Sequence, residues 1–187
     1  VELLEAVEIR EPKRVLRQFP HELSGGMRQR ILIAMALARD PDILIADEPA
    51  TALDVRIKYH IIDLLKKIGK KTNKTILYIT HDLASVKGFA DKILIMYAGK
   101  IVESGPAKTI FENPKHPYSQ KLLALMSRSV DSEGKLAYIS GQPPLPDDFP
   151  EGCRFHPRCF FAIPSCRSDT PVRVGSDEHW WECPVSK

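Results

Sequence analysis

Four consecutive aliphatic residues, Ile43 to Ala46, run directly into Asp47 and Glu48, with Pro41 before them and Pro49 after. A short apolar run of this kind predicts a strand covered on both faces in a parallel sheet. The neighbouring segments agree with that reading. Met27 to Arg39 has good helix formers throughout and apolar residues on most sides, which predicts a buried helix that Pro41 stops. Val55 to Ile68 carries aliphatics at Ile57, Ile61, Leu64, Leu65 and Ile68 with lysines between, a second helix that Gly69 ends. Thr75 to Thr80 is the next strand, with His81 at its carboxyl end, and Asp82 to Ala90 a short helix. Lys92 to Tyr97 and Lys100 to Glu103 flank Ala98-Gly99 as a hairpin. The order α-β-α-β-α-ββ predicts an α/β fold with a mostly parallel sheet, whose ligands bind beyond the carboxyl ends of the strands.

Composition sets the outer limits. With 43% hydrophobic and 27% charged residues among 187, the chain is neither disordered nor fibrous. Its longest aliphatic run, Ile31 to Ala38, falls far short of the roughly 20 residues that span a bilayer. Val1 to Arg10 has no basic start followed by an apolar stretch, so no secretory signal is read and a cytosolic setting is expected. The net charge of +3, from 27 basic and 24 acidic residues spread along the chain, gives no argument for nucleic acid. Proline and cysteine are distributed unevenly: eleven of 15 prolines lie after residue 100, and Cys153, Cys159, Cys166 and Cys183 are the only cysteines. Residues 141 to 150 (GQPPLPDDFP) read as an extended linker, which separates a tail too small to hold itself without disulfides, a metal or an outside surface.

Polar residues gather where an α/β fold does chemistry. Asp47 and Glu48 end one strand and His81 another, so a shared sheet brings two carboxylates and an imidazole to one edge. A carboxylate there can hold Mg²⁺, a second can orient an attacking water, and an imidazole can donate to a γ-phosphate. Each feature taken singly is common, because acidic residues often end strands and a lone histidine is usually solvated. Ser24-Gly25-Gly26 precedes a helix that Ser24 can cap, and two glycines let backbone amides approach a phosphate; the same turn also serves merely to start a helix.

The four pieces in order are Leu23-Ser24-Gly25-Gly26-Met27-Arg28-Gln29-Arg30, Ile43-Leu44-Ile45-Ala46-Asp47-Glu48-Pro49, Ala52-Leu53-Asp54 and Ile79-Thr80-His81-Asp82. This set resembles the motifs of ATP-binding cassette (ABC) ATPases. The resemblance implies that Ser24, Gly25 and Gly26 form the signature, which contacts the γ-phosphate of a nucleotide bound to a facing second ABC ATPase subunit. It implies that Asp47 serves Mg²⁺, that Glu48 polarises the hydrolytic water, that Asp54 couples the two sites, and that His81 is the switch histidine. ATP and Mg²⁺ are the implied cofactors. Ala50 stands where related subunits often have Ser or Thr, and Glu22 where Gln is common. The family's phosphate-cradling loop G-x-x-x-x-G-K-[ST] has no counterpart, since the Gly-Lys pairs at 69–70, 99–100 and 134–135 follow Leu64, Leu94 and Ser129 at the position of the first glycine. The expectation is the carboxyl-terminal half of a cassette, a poor ATPase alone.

Downstream, Tyr97 to Pro106 leads to Asn113-Pro114-Lys115-His116-Pro117-Tyr118, then to Gly141-Gln142-Pro143-Pro144 and Gly152-Cys153-Arg154-Phe155-His156-Pro157-Arg158-Cys159. This resembles the oligopeptide or dipeptide importers. The implied partition is a partial ABC ATPase domain over 1–105, a helix and Pro-rich linker over 106–150, and a four-Cys module over 151–187. The implied partners are a second ATPase subunit, two transmembrane permeases and, indirectly, an extracytoplasmic peptide-binding protein, with the chain peripheral on the inner face of the membrane. Nickel import, a non-transport cassette, and a non-hydrolysing module that lends its signature to a partner are the alternatives. His116-Pro117-Tyr118 reads as a turn before an amphipathic helix through Met126. The cysteine spacing C-x5-C-x6-C-x16-C matches neither paired zinc knuckles nor ferredoxin runs. The resemblance implies a [4Fe-4S] cluster on Cys153, Cys159, Cys166 and Cys183, with zinc and free or oxidised thiols as alternatives and His156 and His179 as spare ligands. His179, Trp180 and Trp181 are expected to pack the tail onto itself or the main domain.

Overall fold

The computed structural model describes residues 1–51, 53–126 and 138–186. The chain forms two compact units, Val1–Ser85 and Val86–Lys187.

In the first unit, α1 (Glu2–Ala6) and α2 (Pro12–Val15) precede a 3-10 turn at Pro20–Glu22, then α3 (Gly25–Leu37), β1 (Ile43–Asp47), α4 (Val55–Thr72) and β2 (Thr75–Ile79). β1 and β2 pair in parallel from Ile43 opposite Thr75 to Asp47 opposite Ile79, and α4 is the crossover between them. Of the predicted stripe on α4 the fold buries Ile61, Leu64, Leu65 and Ile68, joined by Ile62, and leaves Ile57 half-buried. The helix runs past Gly69 and ends at Asn73, which adopts the left-handed conformation at φ 51°. Gly69 stays helical because its bare face receives Ile76 of β2: a Cβ there would lie 3.1 Å from Ile76 Cδ1.

Coverage is thinner than the aliphatic runs predict. Along β1, Leu44 and Ala46 are buried but Ile43 and Ile45 are 59% and 64% exposed, so one face of the strand is covered and the other open. On α3, which packs on α1 and α4, Ile33 and Ala34 are buried while Leu32 and Met35 stand exposed. Hydrophobic composition specified the burial that these elements can accept, whereas the neighbours present decide how much they receive.

A 3-10 turn at Leu83–Val86 replaces the helix expected over Asp82 to Ala90. The second unit then contains β3 (Lys92–Tyr97), β4 (Lys100–Pro106), α5 (Ala107–Glu112), α6 (Pro117–Met126), a 3-10 turn at His156–Arg158, α7 (Ser165–Ser168), β5 (Val174–Gly175) and β6 (Trp180–Trp181). Ala98 and Gly99, at φ 47° and 79°, make the tight turn that the hairpin requires. The sheet order is β3-β4-β6-β5, antiparallel throughout. The mostly parallel sheet is therefore corrected: among the described residues one strand pair is parallel, and the larger sheet is antiparallel because a two-residue turn reverses the chain at its centre.

The tail joins this sheet, since Trp180 and Trp181 of β6 pair with Ser104 and Glu103 of β4. Phe155, 2% exposed, is the hub of the unit: its ring meets Tyr97 edge-on at 5.1 Å and Tyr118 at 5.4 Å. Arg158 donates to the carbonyls of Ser140 at 2.7 Å and Ile139 at 3.1 Å and to Tyr97 Oη at 3.3 Å, stitching the segment after residue 138 to the hairpin. Residues 127–137 of the expected linker, and Ala52, lie outside the described residues.

Candidate functional site

Parallel pairing puts the ends of β1 and β2 side by side, and the residues that follow them meet. The Glu48 amide donates to the Ile79 carbonyl at 3.0 Å, continuing the ladder by one step. Glu48 then turns out of the strand at φ 46°, a left-handed conformation that disfavours a residue with a Cβ. Three hydrogen bonds hold its carboxylate. Oε1 accepts from the His81 amide at 3.1 Å and from His81 Nδ1 at 2.6 Å, and Oε2 accepts from the Thr51 hydroxyl. The Thr51 bond, then the His81 ring, hold the Glu48 carboxyl below the ordinary range, so the group is ionised at neutral pH. His81 is 75% exposed at the side chain.

Ser24 starts α3 as expected. Its Oγ accepts from the Met27 amide at 3.3 Å, and Gly25 and Gly26 form the first helical residues. Asp54 does the same for α4, with Oδ1 accepting from the Ile57 amide at 3.0 Å. Gly25, Arg28 and Gln29 from the start of α3 line an open cleft of about 410 Å³ together with Glu48, Thr51 and Leu53. The structure thus gathers Glu48 and His81 into direct contact and brings Gly25 to the cleft that Glu48 lines. Asp47 stands at the end of β1 opposite Ile79, and Asp54 spends its carboxylate on a helix cap.

Three participants escaped the sequence reading. Thr51 fixes the second oxygen of Glu48, and a hydroxyl three residues after a strand-ending carboxylate was the available signal. Lys58 and Asp82 form an ion pair between α4 and the residue after His81. Their separation of 24 positions leaves no local pattern to find.

Asp47 and Glu48 offer hard oxygen donors at the sheet edge, the type that Mg²⁺ takes when waters and phosphates complete its shell. The thiols are in the second unit. Burial pushes the Cys153 and Cys159 thiols up. Cys166 and Cys183 are buried, and the Cys153 amide donates to the Cys166 carbonyl at 2.9 Å. Four thiols suit an iron–sulfur cluster by chemistry but not by their present placement. Among the described residues no group of three or more His, Cys, Asp or Glu side chains is arranged to hold a metal ion. None of their helices is long and apolar enough to cross a membrane.

Sequence comparison matches residues 1–51 to the ABC transporter family. The resemblance to that family is thereby borne out. Residues 102–166 match the family described as oligopeptide/dipeptide transporter, C-terminal region. A Brucella ovis protein named as a peptide import ATP-binding protein is 47% identical over 185 residues, covering 96% of this chain and 55% of its own length. A Brucella abortus protein with the same description is 44% identical over 98% of this chain and 55% of its own. The chain therefore spans about half the length of these curated relatives. A bacterial ABC transporter cassette solved as a dimer aligns at 36% identity over 57% of this chain and 44% of its own, with a TM-score of 0.49.

Proposed function

We propose that this chain is the carboxyl-terminal part of an ATP-binding subunit that powers peptide import by hydrolysing ATP. The observation that carries the reading is the Glu48–His81 pair at the end of a parallel strand pair, with Glu48 lining the same cleft as Gly25. In this reading Glu48, ionised and aimed by Thr51 and His81, takes the proton of the attacking water. His81 gives Nδ1–H to Glu48, so its Nε2 donates to a γ-phosphate only when the ring carries a second proton. Asp47 serves Mg²⁺, which supplies charge neutralisation at the phosphates. Ser24, Gly25 and Gly26 offer the positive end of α3 to a nucleotide held by a facing second subunit, and Asp54 couples the two sites. Two permeases and an extracytoplasmic peptide-binding protein complete the machine, with this subunit peripheral on the cytoplasmic face.

The second part of the reading concerns the tail, where Cys153, Cys159, Cys166 and Cys183 take up a [4Fe-4S] cluster after side-chain rearrangement. The placement of four free cysteines in one compact unit supports it, and iron with acid-labile sulfide in anaerobically purified protein tests it. For the main reading the test is ATP turnover by the full-length protein that carries this chain. Glu48→Gln is expected to lower kcat by about 10²- to 10⁴-fold while ATP binding persists. Unchanged turnover in that variant would sink the assignment.

A further inference from the structure

The first turn of α4 touches both motif-bearing loops of its unit. On one side it meets the Ser24–Gly26 turn. A Cβ at Gly25 would lie 3.1 Å from Leu53 Cδ2, and one at Gly26 would lie 2.9 Å from Ile57 Cγ2, so the absent side chains are what lets α3 close on this turn. On the other side is Lys58, whose amide donates to the Asp54 carbonyl at 2.9 Å and whose Nζ pairs with Asp82 Oδ2.

Asp82 is itself fixed at every polar atom. Its Oδ1 accepts from the Ala84 amide at 3.0 Å, its amide donates to Thr80 Oγ1 at 3.0 Å, and its carbonyl accepts from the Ser85 hydroxyl at 2.6 Å. The next residue back is His81, tied to Glu48 through both backbone and ring. Lys58 and Asp82 are 23% and 33% exposed at the side chain, so water screens the pair only in part. Their hydrogen bond is the main reason that the Asp82 carboxyl is held below its ordinary range and the Lys58 ammonium above its own.

We propose that Lys58 is a positioning residue whose ion pair with Asp82 ties the first turn of α4, and through it the Ser24–Gly26 turn, to His81 and Glu48. A displacement at the signature glycines then reaches the carboxylate by a short rigid route: Ile57, one peptide to Lys58, the ion pair, one peptide to His81, and the hydrogen bond to Glu48. The tie is a property of this chain alone. Its consequence for turnover rests on the proposed ATPase function.

The experiment is amide hydrogen exchange on the 187-residue chain. Lys58→Met is expected to speed exchange at the His81 and Ala84 amides about tenfold, while the β1–β2 ladder amides keep their rates and Lys58→Arg restores both sites. Gly26→Ala, which forces Ile57 to move, is expected to speed the His81 amide when Lys58 is present and to add nothing when Lys58→Met is already in place. If Lys58→Met does not fold, Lys58→Gln makes the same comparison. Unchanged exchange at His81, or a uniform rise across β1 and β2, overturns the proposal, as does simple additivity with Gly26→Ala. In the full-length protein Lys58→Met is expected to lower kcat about tenfold at unchanged KM, with Lys58→Arg keeping more than half of the activity. Absence of ATP turnover in the unsubstituted protein would overturn the ATPase reading and leave the exchange result to decide the tie.

Discussion

The first unit leaves its polar machinery at an edge open to solvent and buries little besides hydrocarbon. The second does the reverse. Glu103 and Ser119 are fully buried there, and Ser104 and His116 are each 1% exposed. Glu103 lies under the sheet as a common acceptor: Oε1 takes the Lys115 amide at 2.8 Å and His179 Nε2 at 2.9 Å, and Oε2 takes the His116 amide at 2.9 Å. Glu48 also accepts three hydrogen bonds, but beside a cleft. The same side chain thus serves two ends. Where water reaches it, hydrogen bonds aim a carboxylate beside an open cleft; where it does not, hydrogen bonds from two separate segments turn it into a fastening.

That contrast can be broken from either side. The largest effect is expected from Glu103→Ala, which leaves three donors, one buried and two part-buried, without this acceptor and should destabilise the second unit by about 3–5 kcal/mol. Both tryptophans lie in β6, so denaturant titration followed by tryptophan fluorescence reads this unit alone; an unchanged midpoint would remove Glu103 as its fastening. Acid should act next. Burial pushes the His116 ring down to about 4, against a smaller opposing influence of Glu103. The unfolded chain binds that proton near its ordinary value of about 6.5, so the stabilisation is fully present above that pH and is lost as pH falls toward about 4. The loss should approach about 3 kcal/mol, and the same fluorescence titration at pH 7 and pH 4.5 measures it, with His116→Gln flattening the difference. The smallest effect belongs to the first unit. Ser24→Ala removes the cap of α3 and should cost about 1 kcal/mol, with circular dichroism falling and tryptophan emission unmoved.

Elements with a local signature were readable from the chain. The stripe on α4, the Ala98-Gly99 turn, Pro117 opening α6 and the Ser24 cap all follow from residues within a few positions of one another. The juxtaposition of Glu48 with His81 was readable too, because two strand ends in parallel register share an edge. Four features were hidden for identifiable reasons. α4 outlasts Gly69 because Ile76 needs the space, a tertiary demand that overrides a local stop signal. β6 is two residues long, too short for any periodicity, and its pairing with β4 spans more than 70 positions. The burial of Glu103 depends on His179, also more than 70 positions away, and His179 fits only because Gly105 has no side chain: a Cβ there would lie 2.7 Å from the ring. Lys58 and Asp82 read as ordinary solvated charges until α4 is folded against β2.

Glu48 adopts its left-handed backbone at a position where glycine or asparagine would sit with less strain. Random drift toward a more stable fold would therefore replace it, and a screen for thermostability alone should recover Gly or Asn at position 48. The three hydrogen bonds from Thr51 and His81 to its carboxylate are what hold Glu48, and with it this strained backbone, in place.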